Sequence, residues 1–158
     1  MSTIGFDTSN YTTSTAWTDG KTDINVRQIL YVKDGERGIR QSDGVFQHMK
    51  LMPVMYEKLS EQIDFKDVKA VGVSTRPRCV EGSYMPVFLA GEGYAKVVAN
   101  TLGVPLYEFS HQDGHIMAGI YSSGSFELLE NDFISVHLSG GTTEILKSRY
   151  NGFYFDNE

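Results

Sequence analysis

Cysteine, proline and long apolar runs are all scarce in this chain of 158 residues. Cys79 is the only cysteine, and there are four prolines. A single cysteine excludes an intramolecular disulfide framework and favours a reducing compartment, so we predict a cytoplasmic location. No apolar run approaches the ~20 residues of a membrane-spanning helix, and the N-terminus lacks the basic segment and apolar stretch of a signal peptide. We therefore expect no membrane partner.

Positively charged residues are also few. The chain has 14 Lys and Arg against 20 Asp and Glu, a formal net charge of -6. Because phosphate neutralisation requires a basic surface, this balance argues against a free-standing nucleic-acid binder, although RNA binding through a further segment or a partner stays open. The hydrophobic content of 41% is enough for a packed core. The length suits one domain, or one complete lobe and part of another.

Apolar periodicity predicts an α/β domain with the element order β-β-β-α-β-α-β-α. The predicted strands are 3–8, 13–18, 24–33, 68–74 and 104–110, and the predicted helices are 45–63, 85–102 and one that begins at 111. Asp19-Gly20 is a two-residue hairpin signal between the second and third strands. The run 68–74 is almost entirely apolar, which is typical of a central parallel strand.

Two features of the predicted helices leave alternatives open. Apolar residues recur every three or four positions in the first helix and indicate a stripe that faces the core or an interface: Val45, Met49, Met52, Met55, Tyr56, Leu59 and Ile63. Pro53 lies within this stripe and should kink or break the helix. In the second helix, Gly91 and Gly93 each cost about 1 kcal/mol relative to alanine. These glycines indicate either close packing against another element or a locally frayed helix.

The C-terminal part of the chain predicts the start of a second lobe. Strands are predicted at 132–138, 144–149 and 153–155, with no helix to cover them. The turn Ser139-Gly140-Gly141-Thr142-Thr143 repeats the hydroxyl-rich character of Asp7-Thr8-Ser9, and backbone N–H groups in such turns can hold phosphate oxygens. We expect a first lobe at 1–131 and an incomplete second lobe at 132–158. Its uncovered apolar face and open edge favour self-association, as a homodimer or with a paralogue.

The segment His111-Gln112-Asp113-Gly114-His115 carries the clearest chemistry. Two histidines four residues apart share one face of a helix, where both imidazoles can bind one ion. They follow a short buried strand, and open α/β sheets bind their ligands at the carboxyl ends of strands. Gln112 stands where the HExxH zinc-protease helix has its general-base glutamate. Two ligands are fewer than a protein metal site uses, so a turn cap or a solvated face is the alternative.

Three segments, in this order along the chain, resemble the TsaD/Gcp family. Ile4-Gly5-Phe6-Asp7-Thr8-Ser9 is similar to the family's opening strand and first phosphate loop, and His111 to His115 to its HxxGH motif. Leu138-Ser139-Gly140-Gly141-Thr142-Thr143-Glu144 is similar to its SGGxTx segment, and Gly103-Val104-Pro105-Leu106 also matches. The resemblance implies an α/β fold: a ribonuclease-H-like, actin-like ATPase lobe with a mixed five-stranded sheet and flanking helices, followed by the first strands of a second lobe.

The resemblance also implies a function, that of a transferase that moves threonylcarbamoyl from its adenylate to N6 of adenosine in tRNA. His111 and His115, with an aspartate of the second lobe, would bind one divalent metal, iron or zinc, which acts as a Lewis acid. An adenine nucleotide, ATP or the acyl-adenylate, would lie in a cleft lined by Asp7, Thr8, Ser9, Ser139, Gly140, Gly141 and Thr142. The family's older name, O-sialoglycoprotein endopeptidase (glycoprotease), implies a hydrolase, but the sequence has no recognisable proteolytic nucleophile and base.

Several segments depart from the family pattern and indicate a divergent paralogue. The usual Gly-Pro-Gly turn after the central strand is replaced by the segment 74–82, with Arg76 and Arg78, which either contact phosphate or RNA or are solvated. Asn10-Tyr11 replaces an acidic doublet, Thr142 replaces a His or Asn, and no third metal ligand in the family's downstream context occurs. The alternatives are a non-catalytic, dimerising TsaB-like paralogue and an actin-superfamily small-molecule kinase. For this chain alone we expect weak or absent catalysis, because an active site between two lobes needs both.

Overall fold

The computed structural model describes residues 1–138 and 143–158, and its elements follow the predicted order. The strands are β1 (Ser2–Asp7), β2 (Thr12–Thr18), β3 (Asp23–Ile29), β4 (Val68–Arg76), β5 (Leu106–Ser110), β6 (Phe133–Leu138), β7 (Thr143–Tyr150) and β8 (Phe155–Asn157). The helices are α1 (Gln41–Ser60), α2 (Phe88–Leu102) and α3 (His111–Ser123), with short 3₁₀ helices at Phe65–Asp67 and Phe126–Glu130.

Strand β1 is the centre of a five-stranded mixed sheet with the order β3-β2-β1-β4-β5. It pairs antiparallel with β2 and parallel with β4, so that Ile4 is opposite Trp17 on one side and Val71 on the other. Because side chains alternate along a strand, Ile4 and Phe6 point to the same side and are both buried. The loop after β1 therefore lies at the carboxyl ends of the parallel strands β1, β4 and β5, next to the start of α3.

The core lies between this sheet and the helices α1 and α2. Met52 and Leu59 of α1 and Ala95 of α2 pack in one cluster with the apolar residues of β1 and β4. Met52, Met55 and Leu59 are at most 1% exposed, so this part of the methionine stripe faces the core and offers no surface to a partner. Of the two alternatives for the stripe, a core-facing or an interface position, these three residues take the core-facing one. Self-association of the chain by other surfaces stays a prediction.

Local hydrogen bonds explain where the element boundaries differ from the predicted ones. The hairpin at Asp19 is four residues long instead of two, because the Asp19 carboxylate accepts hydrogen bonds from the backbone N–H groups of Lys21 and Thr22. Strand β3 ends at Ile29, four residues early, because the side-chain amide of Gln47 binds both the N–H and the carbonyl of Tyr31. Helix α1 continues through Pro53 without a break.

Strands β6, β7 and β8 form a separate antiparallel sheet. Its contacts with α3 include a hydrogen bond from the Phe155 N–H to the Asp113 carboxylate at 3.4 Å and one from the Gln112 amide to Glu144 at 3.1 Å. Val136 and Ile145, cross-strand neighbours, are 57% and 69% exposed, as expected for an uncovered apolar face. The division into lobes at 131/132 stays a prediction. None of the helices in residues 1–138 and 143–158 is long and apolar enough to cross a bilayer.

Candidate metal and nucleotide site

The start of α3 is fixed by a reciprocal cap. The Ser110 hydroxyl accepts a hydrogen bond from the Asp113 N–H at 3.1 Å, and the Asp113 carboxylate accepts one from the Ser110 N–H at 3.0 Å. This capping box satisfies N–H groups that a helix end otherwise leaves unpaired. Ser110 is fully buried, so the cap also anchors the helix to the end of β5. The helix begins at His111. The predicted histidine pair therefore occupies the first turn and a half of α3.

The two imidazoles and Asp7 form a short line of contacts. His111 Nδ1 lies 2.8 Å from Asp7 Oδ2, and His111 Nε2 lies 2.8 Å from His115 Nε2. Asp7 is the last residue of β1, so the first contact joins residues 104 positions apart. The structure thus brings together three of the predicted site residues at the carboxyl ends of β1 and β5.

Asp7 determines which nitrogen of His111 carries the proton. Burial by itself raises the pKa of Asp7, but the hydrogen bond and charge of His111, with hydrogen bonds from Ser74 and Ser9, outweigh burial and lower the pKa from 3.8 to about 2. An ionised carboxylate only accepts hydrogen bonds, so His111 Nδ1 donates to it. A neutral His111 then presents the lone pair of Nε2 towards His115. A carboxylate commonly orients a metal-binding histidine in this way.

The two imidazoles supply part of a donor set that suits a divalent metal such as iron or zinc. Burial lowers the pKa of His115, as do the charges of His111 and His137, while Asp7 raises it. The neutral imidazole, which is the form that binds a metal, is therefore favoured. Two imidazole nitrogens on one tetrahedral zinc ion lie about 3.3 Å apart, so a small opening of the 2.8 Å contact accommodates an ion. No cluster of three or more metal-binding side chains occurs within residues 1–138 and 143–158.

The loop after β1 is tightly built into the fold. The Ser9 N–H donates to Asp7 Oδ1 at 2.7 Å. The buried Thr8 hydroxyl donates to the Val87 carbonyl at 2.8 Å and accepts from the Gly91 N–H at 3.0 Å. The Thr8 side chain therefore attaches the loop to the first turn of α2. Because these two hydrogen bonds engage the hydroxyl, only the backbone of Thr8 remains to bind a phosphate. The roles of Asp7, Thr8 and Ser9 in nucleotide binding stay predictions. Ser139, Gly140, Gly141 and Thr142, the second half of the predicted cleft, lie outside the described residues.

A buried histidine of helix α1 contacts strand β2, which follows the loop after β1. His48 of α1 is fully buried, and its Nδ1 lies 2.8 Å from the Thr13 hydroxyl on β2. Its Nε2 has no hydrogen-bond partner among the described residues. Burial lowers the pKa of His48, against smaller raising effects of Asn10 and Asp7. Sequence analysis did not single out His48, and its place in the apolar pattern of α1 was the available signal.

Further residues near the histidine pair were also missed. The His137 ring of β6 lies 5.1 Å from the His115 ring, measured between centroids. Glu144 forms a salt bridge with Arg78 and accepts a hydrogen bond from Gln112. Arg78 thus has an intramolecular partner, which favours a structural role over the phosphate or RNA contact considered above. Arg76 contacts the Thr75 hydroxyl and the Cys79 sulfur. The signal available in the sequence was the position of His137, two residues before Ser139-Gly140-Gly141.

Comparison with known proteins agrees with these observations. The family model for TsaD, tRNA N6-adenosine threonylcarbamoyltransferase, matches residues 35–155. A protein of that name from Christiangramia forsetii is 33% identical over 98 residues, which are 61% of this chain and 27% of the relative. Another from Pyrobaculum calidifontis is 28% identical over 144 residues, 90% of this chain and 40% of the relative. The chain therefore spans about a quarter to two fifths of the length of these relatives.

Solved structures confirm the predicted fold class. YeaZ from Pseudomonas aeruginosa matches all of this chain and 64% of its own, with a TM-score of 0.57 at 12% identity. The ethanolamine utilization protein EutJ from Carboxydothermus hydrogenoformans matches all of this chain and 52% of its own, with a TM-score of 0.52 at 17% identity. At such identities the likeness shows the fold alone, that of the actin-like ATPases. The fold, together with the family match over residues 35–155, shows that this chain belongs to the TsaD family.

Proposed function

We propose that this chain is the N-terminal part of a metal-dependent, nucleotide-binding transferase that moves threonylcarbamoyl to N6 of adenosine in tRNA. The single observation that carries the proposal is the line of contacts from Asp7 through His111 to His115. A scaffold has no use for two imidazoles whose nitrogens converge, one half-buried and oriented by a carboxylate and the other exposed. The family match supports the choice of reaction.

Each residue of the line has a distinct role in the proposal. His111 and His115 would hold a divalent metal, iron or zinc, through their Nε2 atoms, and Asp7 orients His111 by accepting its Nδ1 proton. The metal, when bound, supplies Lewis-acid polarisation of the carbonyl that the adenosine amine attacks. Backbone N–H groups of the loop after β1 would bind phosphate oxygens of ATP or an acyl-adenylate, together with residues 139–142.

The remaining assignments concern the whole protein. We propose a first lobe at 1–131 and the opening strands of a second at 132–158, with tRNA bound by the full-length protein in the cytoplasm. The net charge of -6 gives this chain little attraction for RNA, so the acceptor would be bound mainly by other parts or partners.

Metal content measured by elemental mass spectrometry tests the proposal. The wild-type chain, purified without chelator, is compared with the His111→Ala, His115→Ala double variant. Ser122→Ala, an exposed position on the same helix, is the matched control. We expect near-stoichiometric iron or zinc in the wild type and the control, and none in the double variant. A wild type without metal, or equal metal in the double variant, would refute the proposed site.

An assay of the reaction follows if metal is found. Threonylcarbamoyl-adenylate and unmodified tRNA are incubated with the chain, and the digested nucleosides are analysed by mass spectrometry. We expect weak or no modification by the chain alone, and modification by a family member of full length under the same conditions. Strong activity of the chain alone would contradict the expectation that both lobes are needed.

A second candidate function, a dimerising and non-catalytic TsaB-like partner, is favoured by one observation. Val136 and Ile145 form part of an outward apolar face in which Leu138 is 73% exposed, and such a surface usually marks an interaction site. The partner would be a second copy or a paralogue. A stable dimer by light scattering, together with no metal in the wild-type chain or in the His111→Ala, His115→Ala variant, would favour this function over the transferase.

A further inference from the structure

The outer edge of the first sheet is a strand with an unpaired side. Strand β3 is the end strand of that sheet and pairs in continuous register with β2 from Asp23 to Ile29. The Leu30 N–H donates to the Tyr11 carbonyl at 2.7 Å, so Leu30 and every second residue before it direct their backbone groups towards β2. The residues between them, whose N–H and C=O groups point away from the sheet, are Asp23, Asn25, Arg27 and Ile29. All four are exposed.

Gln47 closes this edge only beyond the end of the strand. The side-chain amide of Gln47 donates to the Tyr31 carbonyl at 3.0 Å and accepts from the Tyr31 N–H at 2.8 Å, which are the bonds that a neighbouring strand would make. Residues 23–29 contain no proline, and within residues 1–138 and 143–158 no strand pairs with their outer side. Proteins usually protect an edge strand with a proline, a bulge or a covering element. Residues 23–29 are therefore available to a strand of another chain.

The charges along this edge favour a second copy of the same chain. Asp23 and Arg27 lie on one face of β3, two positions on either side of Asn25. In an antiparallel pair of two β3 strands centred on Asn25, each Asp23 lies opposite Arg27 of the second copy. Opposite charges at such positions stabilise a strand pair, and like charges destabilise it. A centre at Asp23 or at Arg27 would instead bring like charges together.

Both charged side chains can take part in such a pair. Neither Asp23 nor Arg27 has an ion-pair partner within the described ranges 1–138 and 143–158. Asp23 also lies near Tyr121 of α3, and its carboxylate raises the pKa of that phenol. The same strand pair places Ile24 opposite Val26 of the second copy on the helix-covered face, where both are half-buried. Charge and apolar contacts therefore favour the same register.

We propose that β3 pairs antiparallel with β3 of a second copy, centred on Asn25, so that two five-stranded sheets become one continuous sheet. The two-fold axis turns the second copy end for end, so the loops after β1 lie at opposite ends of the joined sheet. Pairing along a single strand buries less surface than a standard interface, and we expect a dissociation constant of about 100 µM. The pairing requires neither the metal nor the nucleotide of the proposed function.

Charge-reversal variants test the pairing by sedimentation equilibrium around that dissociation constant. The background is the full chain with Val136→Lys and Ile145→Lys, which removes association through the apolar face of the second sheet. We expect this background to dimerise, and Arg27→Asp or Asp23→Arg to weaken its dimer at least about tenfold, because each variant opposes like charges twice. A mixture of the two variants should associate as the background does, since every opposed pair again has one acid and one base. Gln28→Glu, a charge change outside the opposed pairs, is the matched control and should change nothing.

A disulfide tests the register directly. Asn25 is the one residue of β3 that lies opposite itself, with Cα atoms about 5.5 Å apart, a separation that a disulfide can span. In a Cys79→Ser background, Asn25→Cys should therefore give a covalent dimer on mild oxidation, whereas Arg27→Cys should not. Circular dichroism of each variant monitors folding, and if a charge variant fails to fold, the cross-link decides the question.

The outcomes are distinct from those of the proposed function. A background that stays monomeric, or equal association of the background and both charge variants, would overturn the pairing. Loss of the dimer in both variants without recovery in their mixture would overturn it as well. Cross-linking through Arg27→Cys in place of Asn25→Cys would overturn the register. None of these results depends on metal content or transfer activity, so the proposed function stands or fails separately.

Discussion

Gly91→Ala and Gly93→Ala form a matched pair that tests how the loop after β1 is attached to the fold. Both glycines lie in α2, but only Gly91 is buried. A Cβ atom at Gly91 would lie 2.9 Å from the Thr8 hydroxyl oxygen and 3.3 Å from its methyl carbon. A Cβ atom at Gly93 would meet nothing within 4 Å. The same substitution at these two positions should therefore have opposite effects on the free energy of unfolding.

The magnitudes follow from three contributions. Replacing glycine by alanine within a helix stabilises it by about 1 kcal/mol. At Gly91, overpacking costs about 1–3 kcal/mol, and disturbing the two hydrogen bonds of the Thr8 hydroxyl costs about 1 kcal/mol each. We therefore expect Gly91→Ala to lower the free energy of unfolding by about 2–4 kcal/mol. For a chain of this size, that lowers Tm by roughly 4–16 °C. Gly93→Ala should raise Tm by about 2–4 °C.

Urea and thermal denaturation, followed by circular dichroism, measure both effects. A double-mutant cycle with Thr8→Ala isolates the contact, because removal of the Thr8 side chain should make Gly91→Ala neutral or stabilising. Equal stabilisation by Gly91→Ala and Gly93→Ala in the wild-type background would refute the close packing of α2 on this loop. It would favour a frayed helix, which was the alternative from the sequence.

Three further predictions concern pH, helix capping and association. Burial lowers the pKa of His48 from 6.5, so the unfolded chain binds more protons than the folded chain below about pH 6.5, and the free energy of unfolding falls as pH decreases. His48→Gln should reduce this loss of stability, measured by urea denaturation at pH 5 and pH 7. Ser110→Ala should cost about 1 kcal/mol of stability and weaken zinc binding several-fold, because the first turn of α3 loses its cap. The wild-type chain should self-associate at micromolar concentration in light scattering, and Val136→Lys with Ile145→Lys should make it monomeric.

Each of these predictions has a control. Above pH 7, His48 is neutral in both the folded and the unfolded chain, so the stability difference between wild type and His48→Gln should no longer change with pH. An equal pH slope for both proteins between pH 5 and 7 would refute the role of His48. Ser122→Ala, on an exposed turn of α3, should change neither stability nor zinc affinity. Tyr31→Lys, at another exposed apolar position, should leave self-association unchanged. A wild-type monomer would contradict the association prediction.

Local patterns predicted most of the fold and half of the candidate site. The order of strands and helices followed from apolar periodicity, and the start of α3 agreed with the placement of the histidine pair after a buried strand. His111 and His115 could be paired because their four-residue spacing is a property of any helix. The family motifs were equally local, since each is a few consecutive residues.

Contacts between distant segments account for what was not predicted. The end of β3 depends on Gln47, a residue of α1 whose amide competes for the Tyr31 backbone. The Asp7–His111 contact joins the end of β1 to the start of α3, and no periodicity relates those positions. His137 and Glu144 come near α3 only through the packing of a second sheet. These features require the tertiary arrangement of the strands.

The separation of 104 residues between Asp7 and His111 also has a consequence for folding kinetics. Hairpin β1–β2 can form as soon as it is synthesised, but β1 gains its other neighbour, β4, only some sixty residues later. Such long-range parallel pairing is slow because the chain between the strands must first be ordered. The carboxylate that fixes the His111 tautomer therefore reaches its place late, after β4 and β5 have joined the sheet. A partly folded or nascent chain would present the histidines without that carboxylate, so metal capture should coincide with completion of the sheet.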